Sequence, residues 1–501
     1  MASVSISVGS GSNDATTRVR LTCLPQIHRY CLEFARLTHS LVRDARQLKD
    51  LLQQTLEASL GYFDALDQRP PATAFVRNPP LALPREGLGA EQALALFMRR
   101  YGQAMPASNG PRFWGFVTGG TTPAALMGDW LTGVYDLNLS SAAHSVAPNI
   151  ELEAIGLLRD LFGLPADFNG VFVTGATMAN FAGLALGREW VARQQGKSVA
   201  LEGLAGLPPV TVLSGEAHSS IFKVLALLGM GRNSLRAVGV LSGDREAVDV
   251  GELRRALEQL GGHPCIVVAN AGTVNTGDFD DLRAIAELKS RYRFWLHVDA
   301  AFGGFAACSP RYQDLMEGIA AADSLTVDAH KWLNVPYDSG MMFTRHRDLQ
   351  IAVFQNSAAY LGAIADPPDF LHLSPENSRR LRALPAWFTL LAYGRSGYRA
   401  LVEQHCQLAR LLGERIAASA NFRLLAPIRL NIVCFTLKGE SAAERIQPFF
   451  ERLRDDGRVF LTPTTFRGQP AIRAAFSNWR TQEQDLDIAW RAMNEVGESL
   501  V

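Results

Sequence analysis

Four groups at the ends of apolar runs could together bind a flat, phosphate-bearing molecule and react with it. Lys331, in "SLTVDAHKWLN", is a primary amine set between His330 and Trp332 at the tip of a short apolar run. An unpaired charge is costly there, so the amine either reaches water along its own stem or does covalent chemistry. Asp299, in "LHVDAAFGG", lies 331 − 299 = 32 residues earlier and is followed by small residues that let a ligand approach the backbone. Alone it reads as the cap of a following turn, and with Lys331 as a plain salt bridge. The stretch "VFVTGATMANFAGLALGRE" passes from strand through a turn to helix. There the N–H groups of Ala176 and Thr177, with the Thr177 hydroxyl, would face a phosphate, although most such junctions bind nothing. His218, in "LSGEAHSSIFKVLALLGMG", is either a helix cap or an imidazole lying flat against a ring.

The turn lacks GxGxxG and GKS/T, which disfavours a dinucleotide or a nucleoside triphosphate. A phosphate seat, a carboxylate, an amine and a flat aromatic side chain match pyridoxal phosphate: the lysine forms the Schiff base and the aspartate pairs with the pyridinium nitrogen.

For these groups to meet, the chain must bring several strand ends to one edge. From about residue 111, short apolar runs ("GVFVTG", "PVTVLSG", "PCIVVANAG", "RFWLHVDAA", "SLTVDA", "SGMMFTR") alternate with helical stretches. This predicts an α/β domain with a mostly parallel sheet, whose carboxyl ends gather ligands. Before it, helical spacing from Gln26 to about Leu66 and again in "GAEQALALFMRRYGQAM" flanks the proline-rich "QRPPATAFVRNPPLALPREG". These helices offer apolar faces without an evident core and are expected to wrap a partner subunit. After about residue 388 come a long helix ("GYRALVEQHCQLARLLGERIAAS"), strands near "RLNIVCFTL" and "AIRAAF", and a closing helix after Asn478. The expected division is 1–110 for a leader and helical segment, 111–388 for a large cofactor-binding domain, and 389–501 for a small α+β domain.

Composition fits an ordinary globular protein of 501 residues, 48% hydrophobic, with 43 glycines. The 49 basic and 49 acidic residues cancel, against a nucleic-acid or anionic-membrane binder. Six cysteines, at 23, 31, 265, 308, 406 and 434, form no CxxC pair and no metal-ligand spacing, and read as reduced core residues of a cytoplasmic protein without a metal. The first twenty residues lack a basic start and an apolar run and are expected to be a disordered leader; no apolar run reaches membrane-spanning length.

The motifs "HVDAAFGG", "TVDAHKWLNVPYDSG", "GATMANFAGLALGRE", "GEAHSSIFKVLALLG" and "AGTVNTGDFDDL" resemble those of the pyridoxal-phosphate group II amino-acid decarboxylases, which include the aromatic-L-amino-acid decarboxylases. "FWGFVTGGTTPAALMGDWL", "APNIELEAIGLLRDLFG" and "SRRLRALPAWFTLLAYGRSGY" extend the resemblance over most of the chain from about residue 111. It implies a type I, aspartate-aminotransferase-like fold with a seven-stranded sheet, and a homodimer with shared active sites. It makes Lys331 the Schiff-base lysine, Asp299 the pyridinium partner and His218 the ring-stacking base, with Ala301 on the opposite ring face. Ala176 and Thr177 would hold the phosphate with His330 close by, and Thr273 would lie near the ring oxygen. Tyr360 falls where the family keeps a mobile-loop tyrosine that protonates the substrate carbon after CO2 leaves; a phenylalanine there diverts the chemistry to an aldehyde. Trp114, Phe116 and Val117 are expected in the substrate pocket wall, with Val117 smaller than an aromatic-amino-acid enzyme would carry.

Two departures stand out: Ala329 replaces a common proline, and Asp328 stands where the aromatic decarboxylases have an asparagine near the phosphate. The reading is decarboxylation of an L-amino acid, apolar or aromatic, to an amine and CO2. The alternatives are aldehyde formation, aldol-type cleavage or transamination at the same site, and a non-catalytic homologue.

Overall fold

The computed structural model describes residues 40–140, 145–356, 364, 366 and 368–500. They fall into two compact units: the described part of residues 1–64 with Val76–Met105, and Ala65–Phe75 with Pro106–Val501. In the first unit, helices α1 (Leu48–Asp64) and α2 (Ala90–Phe97) bury no residue. Leu48, Leu52 and Leu60, at four- and eight-residue intervals along one face of α1, are exposed.

The second unit is built on a seven-stranded sheet of β1 (Asn169–Val173), β2 (Val212–Ser214), β3 (Leu235–Ala237), β4 (Cys265–Asn270), β5 (Phe294–Asp299), β6 (Ser324–Val327) and β7 (Gly340–Thr344). Their order is β1-β7-β6-β5-β4-β2-β3. The five strands from β3 to β6 run parallel, while β7 is antiparallel to both β6 and β1. Every residue of β4 and β5 is buried, which is why "CIVVAN" and "FWLHVD" read as near-continuous apolar runs. Parallel pairing sets Asn270 beside Asp299 and Asp299 beside Thr326, so the carboxyl ends of β4, β5 and β6 share one edge.

Helices α3 (Pro123–Tyr135), α4 (Ala147–Phe162), α5 (Ala176–Arg193) and α6 (Ser219–Leu227) belong to the same unit. α5 lies so close to the sheet that a Cβ on Gly183 would come within 2.7 Å of the His297 ring. A fully buried ion pair ties α4 to the chain beyond β7: Arg379 donates Nη1 to Glu151 Oε2 at 2.9 Å and Nη2 to Oε1 at 2.7 Å. Glu151 Oε1 also accepts the Phe172 N–H of β1 at 2.9 Å.

Strands β8 (Phe422–Leu424), β9 (Ile432–Leu437), β10 (Thr462–Phe466) and β11 (Gln469–Ala475) form a four-stranded antiparallel sheet in the order β10-β11-β9-β8. Helix α7 (Ala383–Ala418) precedes it, α8 (Ala442–Asp456) lies within it and α9 (Glu483–Glu498) closes it. α7 is interrupted at Gly394, with φ 58° and ψ −171°. Its Leu390, Tyr398, Val402 and Cys406 pack in the core of the seven-stranded sheet, and its Leu408, Leu412 and Ile416 in the core of the four-stranded one. The change of core therefore falls inside the helix, beyond residue 388.

Candidate active site

A cavity of about 490 Å³ opens at the carboxyl ends of β1, β2, β4, β5 and β6. Lys331, Asp299, His218, Ala301, Ala176, Thr177, Thr273 and His330 all line it. Tyr360 lies outside the described residues.

Lys331 comes four residues after the end of β6, and the backbone beside it is braced by the Gly119 N–H, which donates to the His330 carbonyl at 3.3 Å. Its Nζ sits 3.4 Å from Asp328 Oδ2 and 5.7 Å from the centre of the Phe302 ring. Asp299 ends β5 and is buried; its Oδ2 accepts from Asn180 Nδ2 at 3.0 Å and its Oδ1 from the Ala301 N–H at 3.2 Å. These two donors fix the orientation of the carboxylate toward the cavity.

His218 is the N-cap of α6: its Nδ1 accepts from the Ser220 N–H at 3.2 Å and lies 2.8 Å from Ser220 Oγ. Burial pushes its pKa down, and Lys331 and Arg473 add to this against Asp299 and Asp328, so the imidazole is held neutral.

The turn before α5 lies close against His330 and Asp328. Gly175 has φ 156°, and a Cβ there would meet His330 Cε1 at 2.8 Å. The Ala176 N–H is engaged: it donates to Asp328 Oδ1 at 2.7 Å. Asp328 Oδ2 lies 3.3 Å from His330 Nε2, and His330 Nδ1 accepts from the Ser339 N–H at 3.3 Å, which leaves the proton on Nε2. Burial raises the Asp328 carboxyl, but Lys331, His330 and the Ala176 N–H outweigh it and hold it below the usual carboxylate range. Asp328 thus occupies a donor of the phosphate seat.

Thr273 lines the cavity, but its hydroxyl donates to buried Glu246 Oε2 at 2.5 Å, and Thr276 Oγ1 and Asn275 Nδ2 donate to the same carboxylate. Of the three expected wall residues, none lines this cavity. Trp114 is a correction: it is fully buried in the core of the four-stranded sheet against Phe476, with its indole N–H on the Pro111 carbonyl. Val117 is likewise buried in the core of the seven-stranded sheet, whereas Phe116 is exposed, with a positive φ, beside Phe113 and Phe460.

The site also contains residues that sequence reasoning did not assign. Arg473 lines the cavity from β11; it is buried, donates Nη1 to the Val274 carbonyl at 2.8 Å, and its Nε has no partner among the described residues. A lone charge inside "AIRAAF" was its signal. Asn180, Ser220 and His297 form the buried layer behind Asp299 and His218. Asn180 stands four residues after Ala176, on the same helix face.

The residues fit pyridoxal phosphate: a close-approach turn with the Thr177 donors, a buried carboxylate, a neutral imidazole and an amine share one cavity. The pyridoxal-dependent decarboxylase conserved domain matches residues 92–438. The chain is 28% identical over 407 residues to an aromatic-L-amino-acid decarboxylase of Drosophila simulans, covering 78% of each chain. It is 25% identical over 413 residues to a phenylacetaldehyde synthase of Arabidopsis thaliana, covering 78% of this chain and 82% of that one. The solved structure of Oryza sativa TDC with PLP and tryptamine superposes with a TM-score of 0.82 at 21% identity, covering 91% of this chain and 98% of that one. That similarity shows the fold.

Proposed function

The chain belongs to the pyridoxal-dependent decarboxylase family, and from that premise we propose that it converts an L-amino acid with an apolar or aromatic side chain into the amine and CO2. It is a pyridoxal-phosphate-dependent carboxy-lyase with the type I fold. The observation that carries the site assignment is the meeting of Lys331, Asp299 and His218 in one cavity from three separate strand ends.

Bound pyridoxal phosphate supplies an electron sink for a bond breaking at the substrate's α-carbon. Lys331 would supply the amine that holds the cofactor. Asp299 would keep the ring nitrogen protonated, strengthening the sink through its opposite charge. Ala301 and His218 would bracket the ring, Thr177 would hold the phosphate with His330 nearby, and Thr273 would stand toward the ring oxygen. Arg473, a buried guanidinium on the cavity wall, is placed to receive a carboxylate. Ala217, Val274 and Phe302 line the same cavity as apolar wall. Tyr360 is the proposed proton donor to the carbon that loses CO2.

The working form in this reading is a homodimer with shared sites. Met127, Trp130 and Val134 on α3, spaced three and four residues apart on one face, are exposed, and an uncovered apolar helix face marks an association surface. Phe116 would then line the partner's pocket, and residues 1–110 would wrap the partner. No described helix is long and apolar enough to cross a membrane. The four described cysteines are free and buried, which supports a reducing, cytoplasmic setting.

The test is incubation of the cofactor-loaded protein with a panel of L-amino acids, trapping CO2 and identifying the co-product. Stoichiometric CO2 and amine support the reading. Aldehyde with ammonia would move the chain toward the reaction its Arabidopsis relative is named for, a keto acid would indicate transamination, and no turnover with cofactor bound would indicate a non-catalytic homologue. For the dimer, Trp130→Asp should give a monomer by analytical ultracentrifugation; an unchanged mass would remove α3 from the interface.

A further inference from the structure

Behind the cavity runs a buried chain of hydrogen bonds whose polarity is fixed at one residue. Asn180 is fully buried. Its Nδ2 donates to Asp299 Oδ2 at 3.0 Å and to Ser220 Oγ at 3.2 Å, and its Oδ1 lies 2.9 Å from His297 Nε2. An ionised carboxylate only accepts, so the amide must turn its NH2 toward Asp299 and its oxygen toward His297. His297 therefore carries its proton on Nε2, and its bare Nδ1 receives the Ser324 hydroxyl at 2.8 Å; Ser324 Oγ in turn accepts the Trp295 indole N–H at 2.9 Å. Burial drives His297 down to about 4, so this ring stays neutral.

The other arm obeys the same logic. Ser220 Oγ accepts from Asn180, which leaves its own hydrogen for His218 Nδ1 at 2.8 Å, where the Ser220 N–H also donates. His218 Nδ1 is thus bare, and its proton sits on Nε2.

We propose that Asn180 is a positioning residue that couples the ring-nitrogen partner Asp299 to the ring-stacking His218, orienting the first directly and aiming the Ser220 hydroxyl at Nδ1 of the second, where it reinforces the tautomer that the Ser220 N–H sets. The inference rests on the pyridoxal-phosphate reading for what these two residues do, but the tautomers follow from the hydrogen bonds alone. Its consequence is that His218 presents an N–H donor at Nε2, so it cannot accept a proton at that atom without breaking the Ser220 arm. The charged groups acting on His218 are Asp299, Lys331, Arg473 and Asp328, and none contributes one of the Nδ1 bonds described here.

The experiment uses the cofactor-loaded protein and its Ser220→Ala, Asn180→Leu and Asn180→Asp variants. Imidazole ¹⁵N NMR should show His218 and His297 as Nε2–H tautomers in wild type; Ser220→Ala keeps the backbone N–H on His218 Nδ1 and loses the hydroxyl, so the tautomer should hold while the His218 Nδ1 resonance shifts. That variant should also raise the acid limb of the kcat/KM profile by about half to one pH unit, the size of one neutral hydrogen bond to the uncharged ring. Asn180→Leu should lower kcat by about tenfold to a hundredfold with KM little changed, through loss of a bond to a charged carboxylate. Asn180→Asp, equal in size but lacking the donor, should do at least as much and shift the pH dependence of the bound cofactor's absorbance. If the His218 Nδ1 resonance, the absorbance and the acid limb stay as in wild type while only thermal stability falls, Asn180 is structural and the proposal is overturned. Because the tautomers are read independently of product, failure of the proposal and failure of the decarboxylase reading remain distinguishable.

Discussion

Replacing Asp328 by asparagine should tighten cofactor binding while weakening the cofactor-free protein. Asp328 is buried, takes the Ala176 N–H at 2.7 Å, and lies within 3.4 Å of both His330 Nε2 and Lys331 Nζ. With a phosphate on the same turn, the carboxylate would gain an anionic neighbour. Two like unit charges about 5 Å apart at an effective dielectric of about 20 repel by roughly 3 kcal/mol. The alternative is to protonate Asp328. From an ordinary carboxylate pKa of about 3.9 this costs roughly 5 kcal/mol at pH 7.5, and more here, because its neighbours hold it lower. Repulsion is the cheaper outcome, so Asp328→Asn should relieve about 1.5 to 3 kcal/mol once the lost pairing with His330 is allowed for, or about ten- to a hundredfold in affinity. The assay is titration of cofactor-free protein with pyridoxal phosphate, monitored by absorbance. The cofactor-free protein should respond oppositely. A carboxyl held low in the folded state stabilises it above its unfolded pKa, and that contribution fades as pH falls through the folded one. The variant should therefore melt below wild type at pH 7, with the gap closing in acid. Unchanged or weaker cofactor binding in Asp328→Asn would refute the reasoning and mean that Asp328 leaves the seat when phosphate arrives.

Lys331→Ala should fold and abolish turnover, and borohydride, which fixes the cofactor to wild type, should leave the variant unlabelled by mass spectrometry. Tyr360→Phe should keep cofactor binding and divert product from amine to aldehyde; unchanged amine output would remove Tyr360 from the chemistry. Arg379→Met strands the buried Glu151 carboxylate and should cost about 3 to 5 kcal/mol in chemical denaturation, against little change in cofactor affinity.

The strands that build the site were legible because β4, β5, β6 and β7 are buried throughout and write themselves as unbroken apolar runs. Strands β3 and β8, three residues each with an exposed member, carry no such signature. Lys331, Asp299 and His218 could be placed at strand ends from their local context, but the layer behind them could not. Asn180 meets Asp299 across 119 residues of chain, and nothing local distinguishes it from a polar residue on a helix surface. Trp114 misled for a related reason: an aromatic residue among glycines fits a pocket wall and a core equally well, and only the packing against Phe476 decides. Asp328 was visible as a carboxylate near a phosphate turn, while the donor that accommodates it, the Ala176 N–H, is 152 residues away.

The long helix that serves both cores sets a schedule for the growing polypeptide. The last strand of the larger sheet is complete at Thr344, yet that sheet's core still lacks Leu390, Tyr398, Val402 and Cys406 of α7, and later Ile432 and Ala475. At about 5 to 20 residues per second, the roughly 60 residues from Thr344 to Cys406 keep an apolar sheet face waiting on the ribosome for about 3 to 12 seconds. Nascent chains stalled between these positions should therefore be the species that chaperones and proteases hold most avidly.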